Sequence, residues 1–272
     1  MRWINRRPRR GAEMLLLCLP FAALVAAYLI GSAIRLDANP ADKLLPSPAQ
    51  LWAGIQRIAL MPDPRTGEWL LWSDTAASLM RLAAGLGIAT VIALLLGMAV
   101  GLLPYLRASL GAFVAFLSMV PPLALLPILF ITLGLGEAAK ICLIVIGVAP
   151  IMTRDLALRV HEIPREMIVK AETLSASTWL IALRVVLPQV LPRLLTSLRL
   201  QLGPAFLFLI AAEAISADAG LGYRIFLVRR YLAMDVIFPY VAWITLLAVL
   251  ADIAIDRLRS RVFPWSDLER GA

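Results

Sequence analysis

The sequence predicts an all-α integral membrane protein with six transmembrane helices. Of its 272 residues, 61% are hydrophobic and only 16% are charged, and the mean hydropathy is +0.85. A soluble domain carries about 25% charged residues. The chain also contains several nearly uncharged runs of about 20 residues, the length of helix that crosses the hydrocarbon core of a bilayer.

These apolar runs define the predicted spans. In chain order they are residues 14–34, 79–103, 108–133, 137–153, 195–216 and 236–256. The first run follows an arginine-rich stretch, as the apolar region of a signal peptide does. It is longer than the roughly 7–15 residues of such a region, and no A-x-A-like cleavage site ends it. It is therefore predicted to remain as the first span.

Lysine and arginine are unevenly distributed between the two sides of these spans. With six spans, 16 of the 26 basic residues lie on the side that holds both termini, and eight lie on the other side. Cytoplasmic loops carry such an excess, so both termini are predicted to be cytoplasmic. The same bias accounts for the net charge of +8 without nucleic acid as a partner. Arg81 is predicted to lie at a span edge, with its side chain reaching the headgroups.

The predicted domains follow from the spans and their orientation. They are a basic cytoplasmic N-terminus (1–13), the first span (14–34), a periplasmic loop with interfacial helices (35–78), a core domain (79–256) with a cytoplasmic loop (154–193), and a basic cytoplasmic tail (257–272). The interfacial helices are predicted at "AQLWAGIQRIAL" and "GEWLLW", because tryptophan favours the headgroup boundary.

The third span contains three prolines, Pro121, Pro122 and Pro127. Each removes a backbone hydrogen-bond donor, so the helix is predicted to kink or break within the membrane. Such a break either lines a transport pathway or serves only packing. In the second span, Gly97 and Gly101 form a GxxxG pair, which either permits close helix packing or is a chance spacing.

Glu213 is the one acidic residue well inside a predicted span. A carboxylate in the membrane is costly and suggests a function. It could face a water-filled path, pair with a cation such as Arg224, or act as a structural hydrogen-bonding group. The candidate pathway residues are Pro121, Pro122, Glu213 and Ser216. The acids near the end of the sixth span, Asp252 and Asp256, are predicted to pair with Arg257 and Arg259.

Several kinds of chemistry are missing from the sequence. There is no GxxxxGK[ST] motif for binding ATP. His161 is the only histidine, which excludes HExxH and the usual Ser-His-Asp set. No cluster of metal ligands is evident either. We therefore predict that the chain is not an enzyme and holds no cofactor of its own.

The predicted cytoplasmic loop contains two short helical segments. Residues 164–177 start with a proline suited to a first helical turn and carry an apolar stripe of Ile168, Ala171 and Leu174. Three small residues follow, and a second helix, 178–187, is predicted to end at Pro188. Such an element either docks a partner protein or lies on the membrane surface.

This segment resembles the cytoplasmic loop of binding-protein-dependent ABC importer permeases. Their signature runs Glu-Ala-Ala, three residues, Gly, nine residues, Ile, one residue, Leu-Pro. Here Leu187-Pro188 match the last pair, and Val185 stands at the Ile place. Ser175 stands at the Gly place, within "TLSAS" where relatives commonly show "TLGAS". The Glu-Ala-Ala places hold Val169, Lys170 and Ala171.

Other segments resemble one branch of that family, the nitrate, taurine and alkanesulfonate permeases. They are "LLPSP" at 44–48, "SMVPPLALLPILFITLGLGEAAK" at 118–140 and "AEAISADAGLGYRIF" at 212–226. Together the resemblance covers most of residues 44–264. The stretch from Gly203 to Asp235 also resembles relatives associated with urea or guanidine metabolism.

The resemblance implies a type I ABC importer permease in the bacterial inner membrane, with residues 79–256 as the core permease domain. It implies two permease copies, two ATPase subunits that bind ATP and Mg, a periplasmic solute-binding protein, and contact with membrane lipid. The implied coupling residues are Val169, Lys170, Ala171, Leu174, Ser175, Ala176, Ser177, Leu187 and Pro188. Alternating access would import nitrate, taurine, another sulfonate, or a urea- or guanidine-type solute. An autonomous ion-coupled carrier or channel is the alternative class.

Overall fold

The computed structural model describes residues 10–40, 42–64 and 67–268. The α-helices within these residues are α1 (Arg10–Ala38), α2 (Pro48–Ile55), α3 (Leu70–Leu102), α4 (Pro104–Leu117), α5 (Leu126–Leu133), α6 (Glu137–His161), α7 (Arg165–Thr173), α8 (Thr178–Ile181), α9 (Leu187–Ser216), α10 (Leu221–Arg229), α11 (Met234–Val262) and α12 (Trp265–Leu268). A 3₁₀ turn, Pro122–Leu125, precedes α5, and π-helical turns, Gln56–Leu60 and Ala182–Val186, follow α2 and α8.

Five helical stretches of the described chain are long and apolar enough to cross a membrane. They are Gly11–Ala38, Leu70–Leu102, Glu137–His161, Thr178–Ser216 and Met234–Val262. A sixth candidate is the pair Pro104–Leu117 and Pro122–Leu133, whose two arms meet at an angle of 82°. The predicted break at Pro121 and Pro122 is therefore confirmed, because the helix stops before these prolines and restarts after them.

Several helices extend beyond the predicted spans: α6, for example, continues to His161, eight residues past the predicted end. Two further differences change the interpretation of a predicted segment. Helix α3 begins at Leu70, nine residues before the predicted span, and includes the segment "LLW" assigned above to an interfacial helix. Helix α9 begins at Leu187 with Pro188 in its first turn, so the predicted helix end at Pro188 is wrong. A proline is tolerated in a first turn because the donor that it lacks has no partner there.

The chain divides into two compact units. The first includes the described residues up to Trp69 together with Val228–Pro239, and the second includes Leu70–Leu227 and the described residues from Tyr240 onward. In the first unit, the Tyr28 hydroxyl donates to the Pro46 carbonyl at 2.6 Å. Helix α2 starts with a reciprocal capping box between Ser47 and Gln50, which satisfies two backbone N–H groups.

The second unit is built around α6, which packs along α3 and α9. Small residues of α3 make this packing close. A Cβ atom on Gly97 would lie 2.9 Å from Leu156 Cβ, and one on Gly101 would lie 2.5 Å from Val160 Cβ. The GxxxG pair therefore lies in the α3–α6 interface, which excludes the chance-spacing alternative.

Helices α9 and α11 are joined by an ion-pair cluster. Arg199 donates to Asp252 at 2.8 Å and also contacts Asp256. Arg259 lies 3.2 Å from Asp256, as predicted. The principal partner of both acids is thus Arg199 and not the predicted Arg257. Arg199 lies on the neighbouring helix α9, from which its guanidinium reaches both carboxylates at once.

Candidate functional site

The signature segment forms two helices joined by a tight turn. Helix α7 has no buried residue. The turn closes with a hydrogen bond of 3.1 Å from the Ala176 N–H to the Ala171 carbonyl, the pattern of a Schellman cap. Ser175 has a positive φ of 59°, and the Ser177 hydroxyl then accepts the Leu180 N–H at 3.3 Å. The turn is therefore capped on both sides.

The positive φ of Ser175 gives a physical reason for glycine at this place of the signature. A non-glycine residue in the left-handed region costs roughly 1–2 kcal/mol, because Cβ crowds the backbone. Relatives with glycine avoid this cost, whereas the present chain bears it with serine. The replacement thus preserves the turn at a small loss of local stability.

The surface of this segment is unusually apolar for an exposed loop. Leu174 at the turn is 81% exposed, and Trp179 is 72% exposed. Of the other coupling residues named above, Val169, Lys170, Ser175 and Ser177 are exposed, and Ala171, Ala176, Leu187 and Pro188 are half-buried. Exposed apolar groups flanking a rigid turn are typical of a protein–protein contact.

A second candidate site is a charge network, largely buried except at Glu137, at one end of the α3–α6–α9 bundle. We use this name for Asp74, Ser78, Arg81, Glu137, Lys140, Glu213, Arg224 and Tyr240. The acids and bases within it number three each, so its formal charge is zero. A neutral, fully bonded set is the arrangement that makes ionised groups tolerable away from water.

Asp74 is fully buried in the first turns of α3. Its carboxylate accepts hydrogen bonds from Arg224 Nε at 2.8 Å, from the Tyr240 hydroxyl at 2.9 Å and from the Gly220 N–H at 2.9 Å. Arg224 lies on α10, outside the candidate spans. Burial is the largest single influence on the pKa of its guanidinium and lowers it. The hydrogen bond and the charge of Asp74, together with Tyr240 and Tyr223, raise that pKa by more in sum, so Arg224 remains charged.

Glu213 is also fully buried. It accepts from Ser78 Oγ at 2.8 Å, from Arg81 Nη1 at 2.6 Å and from the Gly222 N–H at 2.9 Å. Gly220 has a φ of 140°, and a Cβ there would lie 2.5 Å from the Glu213 carboxyl carbon. The "GLG" turn at 220–222 therefore needs glycine to bring its N–H groups onto the carboxylates.

Arg81 links Glu213 to Glu137 within this network. Its Nε and Nη2 hold the Glu137 carboxylate in a two-point contact, with 2.8 Å from Nη2 to Oε1. Its Nη1 also donates to the Ala219 carbonyl at 2.7 Å, and Lys140 Nζ donates to Glu137 at 2.9 Å. The predicted snorkelling of Arg81 is wrong. Helix α3 begins at Leu70, so Arg81 lies well inside the helix, and its side chain pairs with Glu137 and Glu213 and is only 9% exposed.

The four predicted pathway residues differ in their surroundings and in their partners. Glu213 pairs with Arg81, whereas Arg224, the cation considered above, pairs with Asp74. Pro121 is exposed and Pro122 half-buried, and Ser216 Oγ bonds back to the Ala212 carbonyl at 3.4 Å. A pathway role for these four residues stays a prediction.

Several members of the network were missed by sequence reasoning. Asp74 and Ser78 fall within the predicted loop 35–78, and the sequence shows no functional signal at Tyr240 or Lys140. The available clue was Arg81, an arginine in an apolar helix that needs a buried counter-ion.

Among the described residues, no three His, Cys, Asp or Glu side chains come together in a way that could hold a metal ion.

Comparison with known proteins is consistent across sequence and fold. The model of the family "binding-protein-dependent transport system inner membrane component" matches residues 76–264. The taurine transport system permease protein TauC of Escherichia coli (strain K12) is 35% identical over 81% of this chain and 80% of its own length. The bicarbonate transport system permease protein CmpB of Synechocystis is 31% identical over 81% of this chain and 80% of its own.

A similar fold is found among solved structures. A chain of the inward-facing MetNI methionine ABC transporter aligns with a TM-score of 0.64 and 24% identity, over 74% of this chain and 99% of that one. This likeness concerns the fold alone. The match of the family model to more than half of the sequence, and relatives above 30% identity over four-fifths of it, lead to one conclusion: the chain belongs to the binding-protein-dependent inner membrane components, the permease subunits of ABC importers.

Proposed function

We propose that this permease works as a homodimer with two ATPase subunits and imports a small solute that carries an oxyanion group. The solute class is that of taurine, another sulfonate, bicarbonate or nitrate. Two of the similar proteins are named for taurine and bicarbonate transport, and a third for aliphatic sulfonates. These groups have in common two or more oxygen atoms on one central atom that share negative charge.

The observation that carries the ATPase contact is the exposed turn of the signature segment. Leu174 projects from a turn that is capped on both sides, so its position is set by backbone hydrogen bonds. A rigid apolar side chain at the end of a short helix suits insertion into a groove of a partner. Its movement would be passed through α8 and the π-helical turn Ala182–Val186 to α9. ATP and Mg would be bound by the ATPase, because the sequence contains no P-loop motif.

Membrane orientation and assembly are parts of the same proposal. The basic bias supports a cytoplasmic location of both termini and of the signature segment in a bacterium. It supports a periplasmic location of the segment between α1 and α3, where a solute-binding protein would deliver its cargo. The apolar stretch of α1 has no buried residue, which leaves its surface for lipid or for a second copy. The solute would then cross by alternating access.

The first test is co-purification of the tagged chain with the ATPase encoded beside it. Leu174→Asp is expected to abolish stoichiometric recovery of the ATPase. Val262→Asp is the matched control, since it makes the same apolar-to-acid change on a side chain that is 49% exposed, outside the segment. The control should retain the ATPase as the unaltered chain does.

Two outcomes would contradict the proposal. Retention of the ATPase and of transport-linked ATP hydrolysis by Leu174→Asp would remove the coupling role from this turn. Absence of ATPase even from the unaltered, folded chain would favour an autonomous carrier or channel. Uptake in vesicles, with taurine, bicarbonate, nitrate, urea and guanidinium compared directly, would then separate the oxyanion class from the urea and guanidine alternative.

A further inference from the structure

The two carboxylates on Arg81 differ sharply in how they are held. Glu213 has no exposed surface, and donors from α3 and from the 220–222 turn fix it in place. The Glu137 side chain is 56% exposed. Its carboxylate accepts hydrogen bonds from Arg81 and Lys140. The Glu137 side chain itself has three rotatable bonds. One counter-ion is therefore enclosed by protein, and the other reaches the surface.

The two cations, in contrast, are enclosed. The side chain of Arg81 is 9% exposed and that of Lys140 is 4% exposed. Without the Glu137 carboxylate, these two positive charges would share the single negative charge of Glu213. An uncompensated buried charge is strongly unfavourable, so an anion from outside would be drawn to the place that Glu137 leaves.

The geometry of that place defines the anion. One carboxylate oxygen, Oε1, receives both Arg81 Nη2 at 2.8 Å and Lys140 Nζ at 2.9 Å, while the other receives Arg81 Nε. The guanidinium fork matches two oxygens bound to one central atom. A carboxylate, sulfonate, bicarbonate or nitrate presents such a pair. Glu137 is also the first residue of α6, where the helix dipole favours negative charge.

We propose that Arg81 and Lys140 form an oxyanion-binding subsite that the Glu137 side chain closes while no solute is present. The oxyanion of the solute replaces the carboxylate, which turns outward into the surface that it already exposes. Glu213 remains bonded throughout and keeps Arg81 in position. This inference rests on the proposed function for its substrate class, and it assigns the recognition of that class to residues of the permease itself.

The subsite discriminates by charge. A sulfonate or nitrate would find two buried cations and one remaining acid. Guanidinium would meet the same two cations and be repelled, and urea would leave the extra positive charge uncompensated. The proposal therefore excludes urea and guanidine compounds from binding at Arg81 and Lys140, irrespective of which solute a binding protein delivers.

The test is calorimetric titration of methanesulfonate into the full-length chain in lipid nanodiscs, without ATP. Glu137→Ala removes the competing carboxylate and is expected to bind the probe about tenfold more tightly than the unaltered chain, or better. Glu137→Ala combined with Lys140→Met should lose this gain. Guanidinium at the same concentration should bind to none of the variants.

A matched control is available at the other ion-pair cluster. Asp252→Ala also removes one of two acids from an arginine, since Arg199 keeps Asp256. The second cation of this cluster, Arg259, contacts Asp256, the acid that remains, and so differs from Lys140, which contacts the acid that is removed. This variant should bind methanesulfonate no better than the unaltered chain. Equal binding by Glu137→Ala and Asp252→Ala would overturn the proposal.

Glu137→Gln is the control for a folding defect in Glu137→Ala, because glutamine keeps the shape of the side chain and removes only its charge. It should show a smaller gain of affinity in the same direction, and folded Glu137→Gln with no gain would also overturn the subsite. The ATPase test above is independent. Co-purification without anion binding would reject the subsite alone, whereas anion binding without an ATPase would reject the importer assembly and retain the subsite.

Discussion

At the scale of single residues, the Arg81–Glu213 ion pair is buried in the second unit, so the stability of the chain should depend strongly on both partners. Removing one partner of a buried ion pair leaves the other uncompensated, at a cost of about 3–5 kcal/mol. We expect Glu213→Gln and Arg81→Gln each to lower the melting temperature of the purified chain markedly. The double variant should lose much less than the sum, because Glu137 with Lys140 and Asp74 with Arg224 then remain balanced pairs.

Thermal unfolding of the three variants in one detergent provides this double-mutant cycle. A coupling free energy of about 1 kcal/mol or more is expected for residues in direct contact. Ser78→Ala is a useful reference, since it removes a neutral hydrogen bond from Glu213 and leaves the charges intact. Additive losses in the double variant would show that the two charges are stabilised separately.

At the scale of secondary-structure elements, the turn between α7 and α8 is held in a conformation that suits glycine better than serine. Ser175→Gly is expected to stabilise the turn by about 1 kcal/mol, because it relieves the positive φ of 59°. Hydrogen exchange at the Ala176 amide, which closes the turn at 3.1 Å, should slow accordingly. Ser175→Val should accelerate it.

The neighbouring serine is the control for that prediction. Ser177 accepts the Leu180 N–H as the cap of α8. The same change to glycine at Ser177 therefore removes a cap and should speed exchange at Leu180 by a small factor. If Ser175→Gly also speeds exchange, the serine side chain, and not the backbone conformation, must determine the stability of the turn.

The packing of α3 on α6 is a second property at this scale. Gly101→Ala would place a methyl group 2.5 Å from Val160 Cβ, and overpacking of this kind costs typically 1–3 kcal/mol. Gly87→Ala, on the same helix, meets nothing within 4 Å and should be neutral or slightly stabilising. The melting temperature should therefore fall for Gly101→Ala and not for Gly87→Ala, and a loss of equal size in both variants would refute the close contact.

The elements were predicted more successfully than the contacts between them. The break at Pro121 and Pro122 could be foreseen because proline acts locally on its own helix. The partners of Arg81 could not, since Glu213 lies 132 positions away and no periodicity links them. Asp74 falls in the predicted loop 35–78, because the apolar run of the second predicted span begins only at residue 79. Only the folded chain supplies Arg224 and Tyr240, which make it acceptable in α3.

At the scale of the whole molecule, the number of membrane crossings depends on the bent pair of α4 and α5. Five helical stretches qualify alone, and the pair raises the number to six if it crosses as one span. Asn39 and Asp218 are separated by α3, the bent pair, α6 and α9. With the bent pair as a span, both positions lie on the same side of the membrane; without it, they lie on opposite sides.

Cysteine labelling distinguishes these two arrangements. In a background of Cys18→Ser and Cys142→Ser, we expect Asn39→Cys and Asp218→Cys to react with an impermeant maleimide in right-side-out vesicles. Thr173→Cys, exposed on α7 at the other end of α9, should react only in inside-out vesicles. This outcome follows from six spans and from the 16-to-8 distribution of basic residues, which favours a cytoplasmic α7. Labelling of Asn39→Cys and Asp218→Cys from opposite sides would show that the two arms form a re-entrant loop, and the termini would then lie on opposite sides as well.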